Sequence, residues 1–255
     1  MHLRHRHTTI RMHSRKKKHT ENTDVKQRIW GILSEESLLG RITSRLWILF
    51  GANVLFVLFS LPVVTAGPAW VALYTVCLKT LRVDDSLNPI KEFWKGFCLN
   101  FKQALIGFLG FLLIAAVLVL DIMFVARTQS VMRLFRYPVY VLTGIVLLIL
   151  FHVIPVMAAF ADSLRALIRN GIYFAAKNPV RAVLILALNV GPMIWTYMDV
   201  VRLPLYAFLW TSFGFSSIAM ICSRLLLKDF EQYLPDIDIR EEADQPETGE
   251  SETGE

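Results

Sequence analysis

The chain has 255 residues, of which 55% are hydrophobic and 19% charged, and its mean hydropathy is +0.48. This composition excludes an ordinary water-soluble domain, which carries more charge and fewer apolar residues. The net charge of +6 hides two opposite tails, because basic and histidine residues crowd the N-terminus and acidic residues crowd the C-terminus. We therefore expect a basic disordered leader over 1–24, a membrane domain over 25–234 and an acidic disordered tail over 235–255.

Five segments lack Asp, Glu, Lys and Arg, and their lengths are 33, 18, 25, 17 and 21 residues. A helix needs roughly 20 apolar residues to cross a bilayer. The first segment is too long for one crossing, and Pro62 and the pair Gly67 and Pro68 interrupt it. The sequence therefore predicts an all-α, polytopic membrane helix bundle with about six spans, one of them short, near residues 46–66, 68–83, 103–126, 137–161, 180–200 and 203–224.

The distribution of basic residues tests the number of spans, because cytoplasmic loops carry an excess of Lys and Arg. Six spans with a cytoplasmic N-terminus place 23 of the 27 basic residues inside and 4 outside, whereas five spans place 15 inside and 12 outside. The six-span arrangement fits the rule. We therefore expect a multi-pass protein of the cell (cytoplasmic) membrane with both termini in the cytoplasm.

Two amphipathic segments are predicted to lie on the inner face of the membrane. One begins at Asn88 and Pro89, a capping residue followed by a proline suited to the first helical turn. Its apolar residues then recur at helical spacing, at Ile90, Phe93, Trp94, Phe97 and Phe101. The segment from Val25 to Arg45 has a similar pattern. Docking of these faces against a partner protein is the alternative interpretation.

Polar residues inside a membrane are costly and are therefore candidate functional positions. The candidates here are Asn53, Asp121, His152, Asn189 and Asp199. A proton carrier or ligand contact at His152 competes with a hydrogen bond between helices, which is the commoner role. The two asparagines more often join helices than bind substrates. Pairing with Arg127 or Arg202 explains Asp121 and Asp199.

Two further patterns concern the last two spans. Asn189, Gly191 and Pro192 predict a break or kink in the fifth span; transporters use broken helices at binding sites, but a structural kink is the commoner case. Small residues on the sixth span favour close packing within the chain or between copies, and they are Ser212, Ser216, Ala219 and Ser223.

The sequence contains no phosphate loop, nucleophile elbow, zinc-type His/Glu pair or Rossmann fingerprint. Cys77, Cys98 and Cys222 have neither the spacing of a disulfide framework nor that of a metal site. We therefore expect no enzymatic activity, no cofactor and no metal. The basic N-terminal run lacks a nucleic-acid-binding module. We therefore expect it to interact with the lipid bilayer and to bind no specific nucleic acid.

Two sequence blocks carry a family resemblance. The first is Ser60 to Ala69, followed by Ala72 to Tyr74 and Leu78 to Arg82, and the second is Phe93 to Ala104. In order and spacing these blocks resemble the YesL-like family of bacterial integral membrane proteins of unknown function. The resemblance implies a cytoplasmic-membrane protein that is often encoded among carbohydrate-uptake and carbohydrate-degradation genes, and it implies no catalytic residues.

These observations favour a non-enzymatic accessory or regulatory partner of a carbohydrate uptake system, with a carbohydrate ABC transporter or another membrane protein as the expected partner. The alternative is a small transporter or channel component with a polar path through the bundle. The small residues of the last span also favour packing between copies of the chain, so a homo-oligomer is a further alternative. A membrane enzyme acting on lipid or glycan is a third hypothesis, and it would depend on Asp121 or His152.

Overall fold

The computed structural model describes residues 38–82, 87–127, 134 and 136–233 of the chain. The predicted leader over 1–24 and the predicted tail over 235–255 lie outside the described residues. Contacts divide the chain into two units, Met1–Ile48 and Leu49–Glu255. The described part of the first unit is the beginning of one helix, and all other elements below belong to the second unit.

Every regular element in the described part of the chain is helical. The α-helices are α1 (Leu38–Ser60), α2 (Ala66–Arg82), α3 (Pro89–Arg127), α4 (Arg136–Ala159), α5 (Leu164–Lys177), α6 (Pro179–Met198), α7 (Leu203–Leu209) and α8 (Phe215–Phe230). Short 3₁₀ turns lie at Val63–Thr65 and Val200–Arg202, and a π-turn at Trp210–Gly214 connects α7 to α8.

Within the described residues, six helical segments are long and apolar enough to cross a membrane, which confirms the predicted polytopic all-α bundle. They are Ile42–Ser60, Val63–Arg82, Pro89–Phe124, Tyr137–Ala159, Pro179–Met198 and Val200–Phe230. The first break differs slightly from the prediction. It lies at Leu61 and Pro62, because Pro68 fits within the first turn of α2, where its missing N–H costs no helical hydrogen bond.

The predicted surface helix near residues 89–102 is not a separate element. It begins as expected, with the Asn88 side chain accepting a hydrogen bond from the backbone N–H of Ile90 at 3.1 Å. However, α3 continues without interruption for 39 residues, or about 58 Å at 1.5 Å per residue. Phe93 and Phe97 are buried and lie 5.8 and 5.0 Å from the Phe59 ring, so part of the apolar face packs inside the protein.

The amphipathic helix α5 was not predicted, because its segment was assigned to a loop between two spans. Its inner face buries Leu167, Gly171 and Phe174. A Cβ atom on Gly171 would lie 3.0 Å from the Cα atom of Val153, so a glycine lets α5 approach the backbone of α4. The spacing of these three residues by four and three positions is the sequence signal from which this helix could have been predicted.

The short helix α2 is the most enclosed of the candidate spans, and it runs antiparallel to the first half of α3. Two glycines allow α2 and α3 to pack closely. A Cβ atom on Gly67 would lie 2.3 Å from the Cβ atom of Phe108, and one on Gly96 would lie 2.9 Å from the Cβ atom of Thr75. Any larger side chain at either position would force the two helices apart.

The last helix, α8, also runs antiparallel to α2. The Cys77 Sγ atom lies 3.9 Å from the backbone oxygen of Ser216, while Tyr74, one turn earlier in α2, interacts with Cys222, further along α8. In the six-span prediction these helices are the second and sixth crossings, which would run in the same direction. This packing therefore disagrees with the predicted cytoplasmic location of the C-terminal end of α8.

We predict that residue 87, just after α2, and residue 232, just after α8, lie on opposite faces of the membrane. Two antiparallel helices that both cross a bilayer end on opposite sides. The measurement is labelling of Leu87→Cys and Gln232→Cys, each in a Cys98→Ser background, by an impermeant maleimide applied to spheroplasts and to inverted vesicles. Labelling of both positions from the same face would instead support the charge-based prediction.

Candidate functional site at the buried polar residues

Asn53 is fully buried and binds the backbone of the π-turn between α7 and α8. Its side-chain amide donates hydrogen bonds to the backbone oxygens of Trp210 at 2.9 Å and Thr211 at 2.8 Å. Its side-chain oxygen accepts a hydrogen bond from the backbone N–H of Ser216 at 2.9 Å. A π-turn inserts a residue into the helical hydrogen-bond ladder and leaves backbone groups without their usual partners. Asn53 supplies those partners from another helix.

The π-turn is held by aromatic packing as well. Phe50 and Phe56 of α1 contact Phe213 and Phe215, with ring centroids 5.4 and 4.9 Å apart. A Cβ atom on Gly214 would lie 2.6 Å from the indole of Trp210, so the ring folds over a position that only glycine leaves open. No pattern in the sequence predicted this π-turn.

Asn189 lies at a second junction, where α2, α6 and α8 meet. Its side-chain amide donates to the backbone oxygen of Ile185 at 2.8 Å and to the Cys222 Sγ atom at 3.4 Å. The Tyr74 hydroxyl lies beside Cys222 and Asn189 but is buried without a hydrogen-bond partner in the described part of the chain, as is the hydroxyl of Ser223. The prediction that Asn189 joins helices agrees with this geometry.

His152 is buried in α4, and its Nδ1 atom lies 2.8 Å from the backbone oxygen of Leu148. This contact is within the same helix, so it differs from the predicted bond between helices. A single intrahelical hydrogen bond fixes the orientation of the ring. No hydrogen bond joins His152 to Asn53 or Asn189 within the described residues.

The two aspartates lie apart from the buried positions. Asp121 is exposed near the end of α3, and the side chain of its predicted partner Arg127 is outside the described residues. Asp199 accepts hydrogen bonds from the Arg202 guanidinium at 3.2 Å and from the Tyr206 hydroxyl at 3.1 Å. The predicted pairing of Asp199 with Arg202 is therefore confirmed.

The sixth-span stripe packs as predicted, whereas the fifth span is not broken. All four small residues of the stripe are buried: Ser212, Ser216, Ala219 and Ser223. The fifth span, α6, remains helical through Pro192, and the hydroxyl of Thr196 donates to the Pro192 backbone oxygen at 2.8 Å. The sequence left a kink and a break as alternatives, and α6 contains no unwound backbone, so the break is not present.

The buried polar positions supply hydroxyl, thiol and amide groups, together with one imidazole. These groups donate and accept hydrogen bonds, but they are spread over two junctions and a separate helix. Among the described residues, no three His, Cys, Asp or Glu side chains cluster closely enough to hold a metal ion. The chemistry of the arrangement is therefore that of helix contacts. Tyr74, Cys77 and Cys222 were missed as polar-junction residues, because apolar runs surround them in the sequence.

The comparison with protein families bears on the first part of this arrangement. Residues 46–122 match the family model described as "Protein of unknown function, DUF624". The DUF624 family includes the YesL-like membrane proteins, so this match confirms the predicted resemblance over these residues. The DUF624 match contains Asn53, Tyr74 and Asp121 but neither His152 nor Asn189. No curated protein and no solved structure matches the chain.

We predict that Asn53→Ala lowers the free energy of unfolding by about 2 kcal/mol or more, because it leaves buried backbone groups of the π-turn unpaired. The measurement is thermal and denaturant unfolding of the purified protein in detergent. Asn100→Ala is the matched control, since among the described residues the Asn100 side chain bonds only to Gly96 of its own helix, at 3.4 Å. Equal losses in the two variants would contradict the role assigned to Asn53.

We also predict that Tyr74→Phe leaves the free energy of unfolding unchanged or raises it by up to about 1 kcal/mol, because it removes an unpaired buried hydroxyl. Tyr206→Phe is the contrasting variant. The Tyr206 hydroxyl accepts from the Trp195 indole at 3.0 Å and donates to Asp199, so its removal should destabilise the protein. A clear loss of stability in Tyr74→Phe would show that its hydroxyl has a bound partner.

Proposed function

We propose that the protein is a non-enzymatic accessory or regulatory subunit of the cell membrane, and that it acts by binding a carbohydrate uptake transporter. The observation that carries this proposal is a mixed basic and apolar surface on the first half of α3. We call this surface the α3 outer face, and it consists of Ile90, Lys91, Trp94, Lys95, Cys98, Leu99 and Lys102, all of which are exposed.

The composition of the α3 outer face favours a protein contact. Ile90, Trp94 and Leu99 are 63%, 53% and 74% exposed, yet they alternate with lysines that a hydrocarbon environment would exclude. Exposed aromatic and aliphatic side chains beside basic ones are typical of a protein-binding surface. The lysines also favour the cytoplasmic side for this end of α3, where a transporter exposes its own cytoplasmic loops and ATPase subunits.

The buried polar residues favour a partner-binding protein over a transporter. Asn53 and Asn189 are bonded to neighbouring helices, and His152 is bonded to its own helix. The two cavities described in the second unit are lined almost entirely by apolar and aromatic side chains, and neither includes these three residues. The alternative of a small transporter would need a polar path, and these positions do not line one.

The carbohydrate part of the proposal rests on the resemblance to YesL-like proteins, and the test must therefore identify the partner. Cys98 is exposed, whereas Cys77 and Cys222 are buried, so a maleimide photocrosslinker labels the α3 outer face without engineering. The labelled protein is irradiated in native membranes, and the adducts are identified by mass spectrometry. We predict adducts with a permease or ATPase subunit of a carbohydrate transporter.

The controls separate specific contacts from collisions. Cys98→Ser should give no adduct, and Lys91→Glu should reduce the yield severalfold, because it reverses a charge within the surface. Arg224→Glu, which changes an exposed residue of α8, should leave the yield unchanged. Adducts only with a second copy of the chain, or sugar flux through liposomes that contain this protein alone, would contradict the proposal.

A further inference from the structure

A lateral cavity lies between α2, α3, α4 and α5, away from the buried polar positions. Its volume is about 320 Å³, and its walls include Gly67, Gly107, Gly110, Val153 and Leu164. None of its lining residues is charged. Three further lining residues, Ile106, Ile114 and Ile168, are 58%, 49% and 38% exposed, so the cavity opens sideways as a groove.

Glycines on α3 create the space in this groove. A Cβ atom on Gly110 would meet no other atom within 4 Å, whereas one on Gly107 would already approach Met157 at 3.1 Å and Leu164 at 3.3 Å. An empty apolar groove forfeits dispersion contacts along its whole lining. Because α3 and α4 are candidate membrane spans, the apolar group that surrounds such a groove is a lipid acyl chain.

Two exposed arginines directly follow groove-lining residues of α5. Leu164 and Ile168 of α5 line the groove, and each is followed directly by an exposed arginine, Arg165 and Arg169. The two arginines are four residues apart and share one face of the helix. Within the described residues neither forms an ion pair, since the ion pairs there involve other residues.

We propose that this groove binds one anionic membrane phospholipid, with an acyl chain between α3 and α4 and the phosphate against Arg165 and Arg169. The amphipathic form of α5 suits this role, because its buried face anchors it to the bundle while its arginines stay at the headgroup level. Guanidinium groups bind phosphate through paired, charge-assisted hydrogen bonds. The site commits to a lipid, because the residues directly before both arginines line an apolar groove.

A second groove, lined by Trp195, Tyr206 and Trp210, makes a weaker candidate. The indole N–H of Trp195 donates to Tyr206, and that of Trp210 donates to Thr196 at 3.0 Å, so both already have partners. The nearby Asp199 and Arg202 neutralise each other. This groove therefore offers a ligand apolar contact without a charged anchor.

The test uses the full-length protein, delipidated in detergent and then mixed with phosphatidylglycerol or phosphatidylcholine. Native mass spectrometry counts the bound lipids. We expect one retained phosphatidylglycerol per chain and weaker retention of phosphatidylcholine. Gly110→Leu should fill the groove and weaken phosphatidylglycerol binding by at least about tenfold. The double variant Arg165→Gln with Arg169→Gln should remove the preference for the anionic headgroup and leave acyl-chain binding in place.

Two matched controls keep this test independent of folding. Gly144→Leu makes the same change on α4, at a position that has free space but does not line the groove. Arg224→Gln with Lys228→Gln removes two exposed positive charges from α8. Both should bind lipid as the unmodified protein does, and melting temperatures verify that all variants fold.

Three results would overturn the proposal. Equal binding of the two lipids by the unmodified protein would exclude a headgroup site. Loss of binding in Gly144→Leu as large as that in Gly110→Leu would exclude the groove. Displacement of phosphatidylglycerol by millimolar inorganic phosphate would show a phosphate site that needs no acyl chain.

Discussion

Close packing around α2 depends on small residues at its interfaces with α3 and α8. Gly67 and Gly96 bring the backbones of α2 and α3 together, and Ser216 of α8 lies against Cys77 of α2. Lipid acyl chains are as apolar as leucine, so burial of apolar surface gives little advantage to helix association within a bilayer. Dispersion contacts between closely spaced backbones take its place, and each glycine or serine at these interfaces has that physical role.

The buried polar residues follow from the same constraint. A backbone group that loses its helical partner has no water to bond with in the membrane interior, so another part of the protein must provide the bond. The π-turn before α8 is such a case, and Asn53 bonds to both its free carbonyls and the following N–H. Asn53 therefore acts as a structural cross-link between two distant parts of the sequence. This role explains a polar residue in the first span without a substrate or a proton path.

The side chains that can bind a partner or a ligand lie on the surface of the second unit. The interior of the second unit is occupied by helix contacts, while the exposed parts of α3 and α5 carry basic residues next to apolar ones. The first half of α3 has the mixed composition of a protein-binding face, and α5 places two arginines beside an apolar groove. An accessory subunit that senses both a partner protein and the surrounding anionic lipid would use these two surfaces separately, because they belong to different elements.

The sequence by itself determined the helical class, the number of candidate spans and most of their limits, because a bilayer requires about 20 consecutive apolar residues per crossing. It also predicted the helix start at Asn88 and the close packing of the small residues in α8. It did not reveal the π-turn, the partner of Asn53, the continuity of α3 or the direction of α8 relative to α2. Those features depend on which side chains meet across long separations in the chain, such as Cys77 with Ser216. Only the tertiary structure decides these contacts. Apolar helices of similar composition can pack in several arrangements, and specific glycines and polar groups select one of them.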